Sequence, residues 1–389
     1  MNKLDELIQQ LCPNGVPYRR LGDIATICRG GSFQKKDFTE SGVPCIHYGQ
    51  IYTRYGLFVN ETITYIGEET AQKQKFAEPN DVVMAVTSEN IEDVCKCVAW
   101  LGDGKVAVSG HAAIIHHSMN PKYLVYWLHS SSFYQQKAKI ANGTKVIEVA
   151  PAKLSDVVLP VPPLEVQREI VRILDTFTEL TAELTAELTA RKKQYAYYRD
   201  KLLTMGTEQV AVCNLGDIAD IYTGSKPNEI LDTISDYEYI NAGTGNSGYT
   251  EQPNCEGDTV TTPSRGQGGI GYVGYQSKPF YLGPLCYAIR SKTQEFIINK
   301  YIYHWLVSHS SDILVLKNEG GTPALNKTDL AKIRIKVPPL SVQNRLVEVL
   351  DNFDAICTDL SSGLPAEIEA RQKQYEYYRD KLLSFEEKI

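Results

Sequence analysis

One feature constrains this chain more than any other: it is written twice. LGDIA at 21–25 returns at 215–219, and KYLVYWL at 122–128 returns as KYIYHWL at 300–306. VPPLEVQ at 161–167 returns as VPPLSVQ at 337–343, and RKKQYAYYRDKLL at 191–203 as RQKQYEYYRDKLL at 371–383. The echoes keep one order and a nearly constant shift. A repeat this long means two copies of one structural frame, each of roughly 180 residues, and any fold must accommodate both. A chain of 389 residues has room for two such compact domains.

Each copy reads the same way. It opens with short alternating or apolar runs broken by Gly, Pro, Asn and Ser. DVVMAV (81–86), AIIHH (113–117), DTVTT (258–262) and GYVGY (271–275) are examples, and they predict strands and loops. YLVYWLHSSSFYQQKAK (123–139) and YIYHWLVSHSSDILVL (301–316) each predict a short helix. VVLPVPPL and IRIKVPPL predict a strand stopped by Pro-Pro, after which a long helix begins, since proline suits a first helical turn.

In the first long helix the apolar residues are Val166, Ile170, Ile173, Phe177, Leu180, Leu184, Leu188, Tyr195, Tyr198, Leu202 and Met205. Their steps of three and four, with a doubled four and one step of seven across Arg191, predict a coiled-coil seam with a stutter. Val342, Ile356, Leu360, Leu364, Ile368, Tyr375, Tyr378, Leu382 and Phe385 predict the same seam in the second helix. There Gly363 and Pro365 predict a kink. A helix from 163 to 205 would be ~65 Å long, and a lone apolar seam needs a partner, most economically its own repeat running antiparallel. Tyr197 and Tyr377 fall off the seam. The segment LDELIQQL (4–11) stands before the first globule where YRDKLLTM stands before the second, so this stub is expected to take the place of that helix end and bring the termini together.

The expected fold class is therefore α+β, with two globular α/β domains separated by two long antiparallel coiled-coil helices in a pseudo-two-fold circular arrangement. The expected parts are 1–160 (stub and first globule), 161–209 (central helix), 210–336 (second globule) and 337–389 (distal helix).

Several function classes lose support. No run of about 18 apolar residues predicts a membrane span, and the start, MNKLDELIQQLCPNG, does not read as a signal peptide. Nine scattered cysteines suit a reducing cytoplasm better than a disulfide framework. Cys95 and Cys97, with His111, His116 and His117 downstream, lack the second paired element of a zinc site, so no metal is expected. GQGGIG (266–271) matches a dinucleotide fingerprint, but YVGYQSKPFYLGP after it cannot open the helix such a loop needs. There is no G-x4-GK-[ST] loop and no N/D-P-P-Y/F motif, so neither a cofactor nor catalysis is expected. NGT (142–144) reads as a turn, as does its echo GGT (320–322). A net charge of −7 implies that any grip on nucleic acid relies on local basic patches and a more basic partner.

Taken together, the TAEL units within FTELTAELTAELTA (177–190), the paired VPPL-x-VQ segments, the duplicated KQYxYYRDKLL blocks, the LGDIA openings and the GGS and TGSKP turns resemble one family over essentially the whole chain. That family is the specificity subunit of type I restriction–modification systems. The resemblance implies two target-recognition domains, each reading half of a bipartite asymmetric site in double-stranded DNA. It implies helices that set the spacer and bind two methyltransferase subunits, with restriction subunits joining the full complex in the cytoplasm. The subunit itself would be non-catalytic, adenine methylation from S-adenosylmethionine and ATP-driven cleavage belonging to its partners. The rival readings are a coiled-coil scaffold with two ligand-binding heads and a self-contained DNA methyltransferase.

Candidate DNA-reading residues lie in polar loops. In the first globule they are Ser32, Gln34, Lys35, Lys36, Tyr48, Gln50, Tyr52, Arg54, Thr87, Ser88, Asn90, His111 and Lys145. Lysine and arginine there suit phosphates, whereas Gln34, Gln50 and Asn90 could reach adenine edges. In the second globule they are Thr223, Ser225, Lys226, Asn228, Asn241, Thr244, Asn246, Ser264, Arg265, Gln267, Lys317, Asn318 and Thr322. Arg191, Lys192, Tyr197, Arg199, Arg371, Tyr377 and Arg379 are the candidate partner-facing residues of the helices. Each TAEL unit would add ~6 Å of helix, one to two base pairs at ~3.4 Å per step.

Overall fold

A computed structural model describes residues 3–204, 210–266, 268–318, 322–359 and 362–388. It divides into two compact units, residues 1–183 with 368–389 and residues 184–367. Six helices carry the argument: α1 (Lys3–Leu11), α2 (Pro121–Leu128), α3 (Leu164–Thr204), α4 (Asn299–Ser308), α5 (Leu340–Thr358) and α6 (Leu364–Leu382). The fold is α+β, with two repeated globular regions and long helices. Helix α3 runs unbroken for 41 residues and gives its first part to one unit and its last to the other.

In the first unit, Ala25–Arg29, Ala112–His117, Val82–Ala85, Cys97–Trp100 and Phe58–Val59 form one five-stranded sheet, in that order. A second sheet of five short strands packs beside it, with Val43–Ile46 parallel to Val106–Val108. Strand Val82–Ala85 is buried on both faces, which is why its sequence is continuously apolar rather than alternating. Val82 and Met84 join the core beneath Tyr123, Leu124 and Trp127 of α2. Val83 and Ala85 face the second core, with Ile46, Val106 and Val108. The second unit repeats the plan with a four-stranded sheet (Ala219–Thr223, Cys286–Ser291, Thr259–Pro263, Gly274–Gln276) and a three-stranded one in which Tyr237–Ile240 runs parallel to Tyr281–Leu282.

The echoed motifs turn out to be the braces of this frame. Backbone N–H groups of Leu21 and Gly22 donate to the carbonyls of Val157 and Ser155, and those of Leu215 and Gly216 to Ile333 and Ala331. A Cβ on Gly22 would lie 2.7 Å from Ser155 Cβ, and one on Gly216 2.8 Å from Ala331 Cβ, so the LGDIA turn requires glycine. The glutamine of each VPPL-x-VQ segment is buried. Gln167 Nε2 donates to Pro162 O (2.7 Å) and its Oε1 accepts from Asn120 N (2.8 Å). Gln343 Nε2 donates to the carbonyls of Pro338 (2.8 Å) and Phe296 (2.9 Å), and its Oε1 accepts from Ile298 N (3.1 Å). Each glutamine thus ties the start of a long helix to the loop before the short one.

The helix ends are exchanged between copies. In the first unit, Ser131 donates its hydroxyl to Asp380 from the second RDKLL block, and Phe177 stacks on Tyr378. In the second unit, Ser308 donates to Asp200 from the first block, and Phe353 stacks on Tyr195 and Tyr198. Leu202 and Leu203 lie beside Val342 and Leu346 while Tyr195 meets Phe353, so α3 and α5 run antiparallel.

Several expectations need correction. The short helix after each strand region is broken: Ser130 caps a new helix, Ser131–Ile140, by accepting from Phe133 N. The kink between α5 and α6 is a full interruption, with Pro365 in the first turn of α6 and a Cβ on Gly363 only 2.7 Å from Ala355 O. In α5 the buried stripe runs through Gln343, Leu350 and Cys357, with Leu346 and Phe353 half-buried, whereas Ile356 is 46% exposed. The expected register through Val342 and Ile356 was displaced by one position, because the polar Gln343 holds the core side. In the first unit Leu383, the counterpart of Leu203, is the buried helix end. The stub α1 is an addition to this frame rather than its substitute. The C-terminal segment does reach the start of the chain: Val16 N donates to Glu386 O and Lys388 N to Val16 O. Met205 and Leu360 lie outside the described residues.

Candidate nucleic-acid interface

In the first unit a cleft of about 640 Å³ opens beside the GGSFQKKDF loop, lined by Arg29, Ser32, Gln34, Lys35, Lys36, Tyr48 and His111, among others. The loop lies close to the sheet. Gly31 N donates to Val108 O at 2.6 Å, and a Cβ on Gly30 would stand 2.3 Å from Ser109 O, so bare backbone is required there. Lys35 and Lys36 sit on a single helical turn in which Gln34 N donates to the Asp37 carboxylate (2.8 Å). Asp37 is thereby turned onto the backbone, and among the described residues neither lysine has an ion-pair partner. Arg29 is paired with Glu148.

Tyr48 lies between two imidazoles, 4.5 Å from His47 and 4.9 Å from His111, centre to centre. His47 caps the helix Tyr48–Thr53 by accepting from Gly49 N (3.2 Å). Burial, the neighbouring Lys35 charge and His111 lower its pKa to about 4, so it is a neutral acceptor at pH 7. Ser32, Gln34, Lys35, Lys36 and His111 are exposed. The cleft therefore combines two lysines, an exposed histidine, an amide and a hydroxyl over a rigid floor.

Other candidates from the first globule serve the fold. Gln50 is 8% exposed; its Nε2 donates to Thr64 Oγ1 (3.0 Å) and its Oε1 accepts from His47 N (2.9 Å). Tyr52 donates its hydroxyl to Thr87 O (2.8 Å), Thr87 is buried against His111 Nδ1 (3.3 Å), and Ser88 pairs with Ile147. Asn90 closes a turn, accepting from Asp93 N (2.7 Å) and donating to its carboxylate (2.8 Å). Arg54 and Lys145 are exposed and lie outside the cleft lining. Arg29, Phe33 and His47 line the cleft and were not singled out; the one sequence sign was His47 standing three residues before Gln50, as in a capping box.

In the second unit the TGSKPN loop takes the equivalent position. A Cβ on Gly224 would lie 1.8 Å from Leu282 O, so this turn also needs glycine. Thr223, Ser225, Lys226 and Asn228 are exposed, with Ser225 Oγ 3.2 Å from Tyr281 OH. A hollow of about 240 Å³ joins Asn228, Gln252 and Tyr281 with the acids Glu229 and Glu251. Thr244 and Asn246 are exposed, whereas Asn241 is half-buried and accepts from Leu285 N (3.0 Å). Ser264 is 5% exposed. Arg265 is exposed, and both it and Asn318 bridge to Ala324 on the neighbouring segment. Lys317 is half-buried and Thr322 exposed, and Gln267 lies outside the described residues. Within GQGGIG, residues 268–271 form a turn rather than a helix, with Gly266 and Gly271 at positive φ.

The helix candidates form the same arrangement twice. Tyr197 is 60% and Tyr377 62% exposed, with Lys201 and Lys381 over their rings. Arg199 and Arg379 lie over Tyr195 and Tyr375, each 5.6 Å from the ring centre, and each pairs with the next aspartate. Arg191 and Lys192 are exposed, and Arg371 is half-buried beside Gln374.

A family model described as type I restriction modification DNA specificity domain matches the chain twice, over residues 13–191 and 207–370. The chain belongs to that family. It is 38% identical over 300 residues to the type I restriction enzyme EcoR124I/EcoR124II specificity subunit of Escherichia coli, covering 68% of this chain and 70% of that one. It is 32% identical over 314 residues to a putative type I restriction enzyme specificity subunit of Haemophilus influenzae, covering 72% and 77%. The fold is similar to that of a type I restriction-modification S subunit from M. genitalium, with a TM-score of 0.59 at 19% identity over 95% of this chain and 96% of that one. A chain from a structure of type I system assembly gives 0.64 at 18%, over 96% and 98%. As a specificity subunit the chain is non-catalytic, and the chemistry of such systems is carried by partner subunits. Among the described residues no helix is long and apolar enough to cross a membrane.

Proposed function

We propose that this chain reads a bipartite, asymmetric site in double-stranded DNA, each repeated globule contacting one half. The observation that carries this reading is a frame braced twice by the same residue types that presents different loops at the same position. GGSFQKKDF stands in one copy and TGSKPN in the other, each on a glycine forced against the sheet. Like braces with unlike loops give two related surfaces of different specificity, the requirement for two unlike half-sites on one face of a duplex.

In the first globule Lys35 and Lys36 take phosphates, while Gln34, Ser32 and His111 are placed for base edges. In the second, Lys226, Arg265 and Lys317 take the phosphate role, and Asn228, Thr244, Asn246, Asn318 and Thr322 are the polar readers. The two YxYY surfaces around Tyr197 and Tyr377, being equivalent, dock two copies of one methyltransferase subunit, with restriction subunits completing the assembly. The parts 1–160, 161–209, 210–336 and 337–389 act as first reader, central spacer, second reader and distal spacer. The TAEL units set the length of unread DNA between the half-sites.

Exchange of residues 20–160 for those of a relative tests the reading. The methylated motif should change in one half only, and a change in both halves would contradict it.

A further inference from the structure

The two copies of the frame differ at one apolar groove. In the first unit the outer face of α3's first turns is covered. Val166 and Ile170 are fully buried, and Glu169 is 3% exposed. Helix α1 supplies the cover: Lys3 pairs with Glu169 at 3.0 Å, and Leu4, Leu7 and Ile8 join the core that holds Val166 and Ile170. In the second unit the counterparts are Val342, Arg345 and Leu346. Val342 and Leu346 are only half-buried, and Arg345 is exposed. Val342 and Leu346, with Leu202, Leu203, Tyr301 and Lys336, line a largely apolar groove of about 160 Å³, and Arg345 precedes Leu346 on the same helix. Among the described residues nothing covers this groove as α1 covers its counterpart. The charge at its rim is inverted, arginine standing where the first copy has glutamate.

We propose that this groove docks a two-turn amphipathic helix of a partner chain, with apolar residues at α1's spacing and a carboxylate in its first turn opposite Arg345. The apolar spacing follows from the internal template, since Leu4, Leu7 and Ile8 present the i, i+3, i+4 stripe used by helices that lie in grooves. The carboxylate follows from charge complementarity, and a helix favours an acid in its first turn through its own dipole. A second copy's α1 is disfavoured, because its Lys3 would meet Arg345. The inference rests on the groove itself and not on the function proposed above.

Two fluorescent peptides test it against the full chain: one carrying KLDELIQQL followed by an alanine-rich turn, and its K3E form. A photo-reactive group at the Leu7 position of each reports where it binds. The K3E peptide should bind about three- to fivefold more tightly than the lysine form, in keeping with one partly exposed ion pair, and should cross-link to 342–346. Arg345→Glu, at an exposed position, should reverse the ranking, and Leu346→Asp should abolish binding of both. The proposal is overturned if neither peptide binds at about 1 mM, if cross-links fall on 166–170, or if Arg345→Glu leaves the ranking unchanged.

Discussion

Neutralising the two cleft lysines gives the most quantitative test of the DNA contacts proposed for the first globule. Lys35 and Lys36 share one helical turn whose only carboxylate, Asp37, is held on the backbone of Gln34. Among the described residues neither lysine has an ion-pair partner to compete with a phosphate. Each phosphate neutralised by a lysine contributes about −0.9 to the slope of log K against log salt on duplex DNA. Lys35→Gln with Lys36→Gln should thus make the slope shallower by about 1.8. Between 50 and 200 mM salt, that amounts to roughly a twelvefold smaller loss of affinity than in the parent complex. The assay is fluorescence anisotropy of a duplex carrying the methylated motif, titrated with the chain in complex with its methyltransferase partner. Both substitutions are at exposed positions, so the fold should persist. The recognised sequence should not change, because phosphate contacts position the protein without reading bases. An unchanged slope would refute the placement of these lysines on the backbone, and a changed motif would move them to base edges.

Two further predictions concern the frame. Gln343→Ala removes three hydrogen bonds and strands two carbonyls and an N–H in a buried site, at a cost of about 3 kcal/mol or more. Urea unfolding should show it, and a loss below about 1 kcal/mol would contradict the bracing role. Deletion of one TAEL unit removes ~6 Å of helix, and should shorten the unread spacer in the methylated motif while leaving both halves intact; an unaltered spacer would rule out the length-setting role. Within this stretch Thr181 and Thr189 each return their hydroxyl to the carbonyl four residues back, and Leu180, Leu184 and Leu188 are half-buried.

The repeat was legible because equivalent braces demand the same residue types. Gly22 and Gly216 have no room for a side chain, and Gln167 and Gln343 tie two loops to a helix start. What those glutamines do was not legible. A polar residue on a helix reads as solvated, yet Gln343 is fully buried, and that displaced the expected seam of α5 by one position. The same limit governs the loops. Gln34 and Gln50 are the same residue type in neighbouring polar stretches, but Gln34 lines the cleft while Gln50 is consumed by Thr64 and His47. Residue type gives hydrogen-bonding capacity, and only the packed partners reveal whether that capacity is already used. Tyr197 and Tyr377 were readable because exposure on a helix follows from spacing alone.

The central claim is that one chain reads two unlike half-sites. Base-resolution mapping of adenine methylation, in cells carrying this chain and its methyltransferase partner, tests it most directly. The account predicts a single motif of two specified parts separated by a fixed run of unspecified bases. A continuous motif, or two symmetric halves, would contradict it.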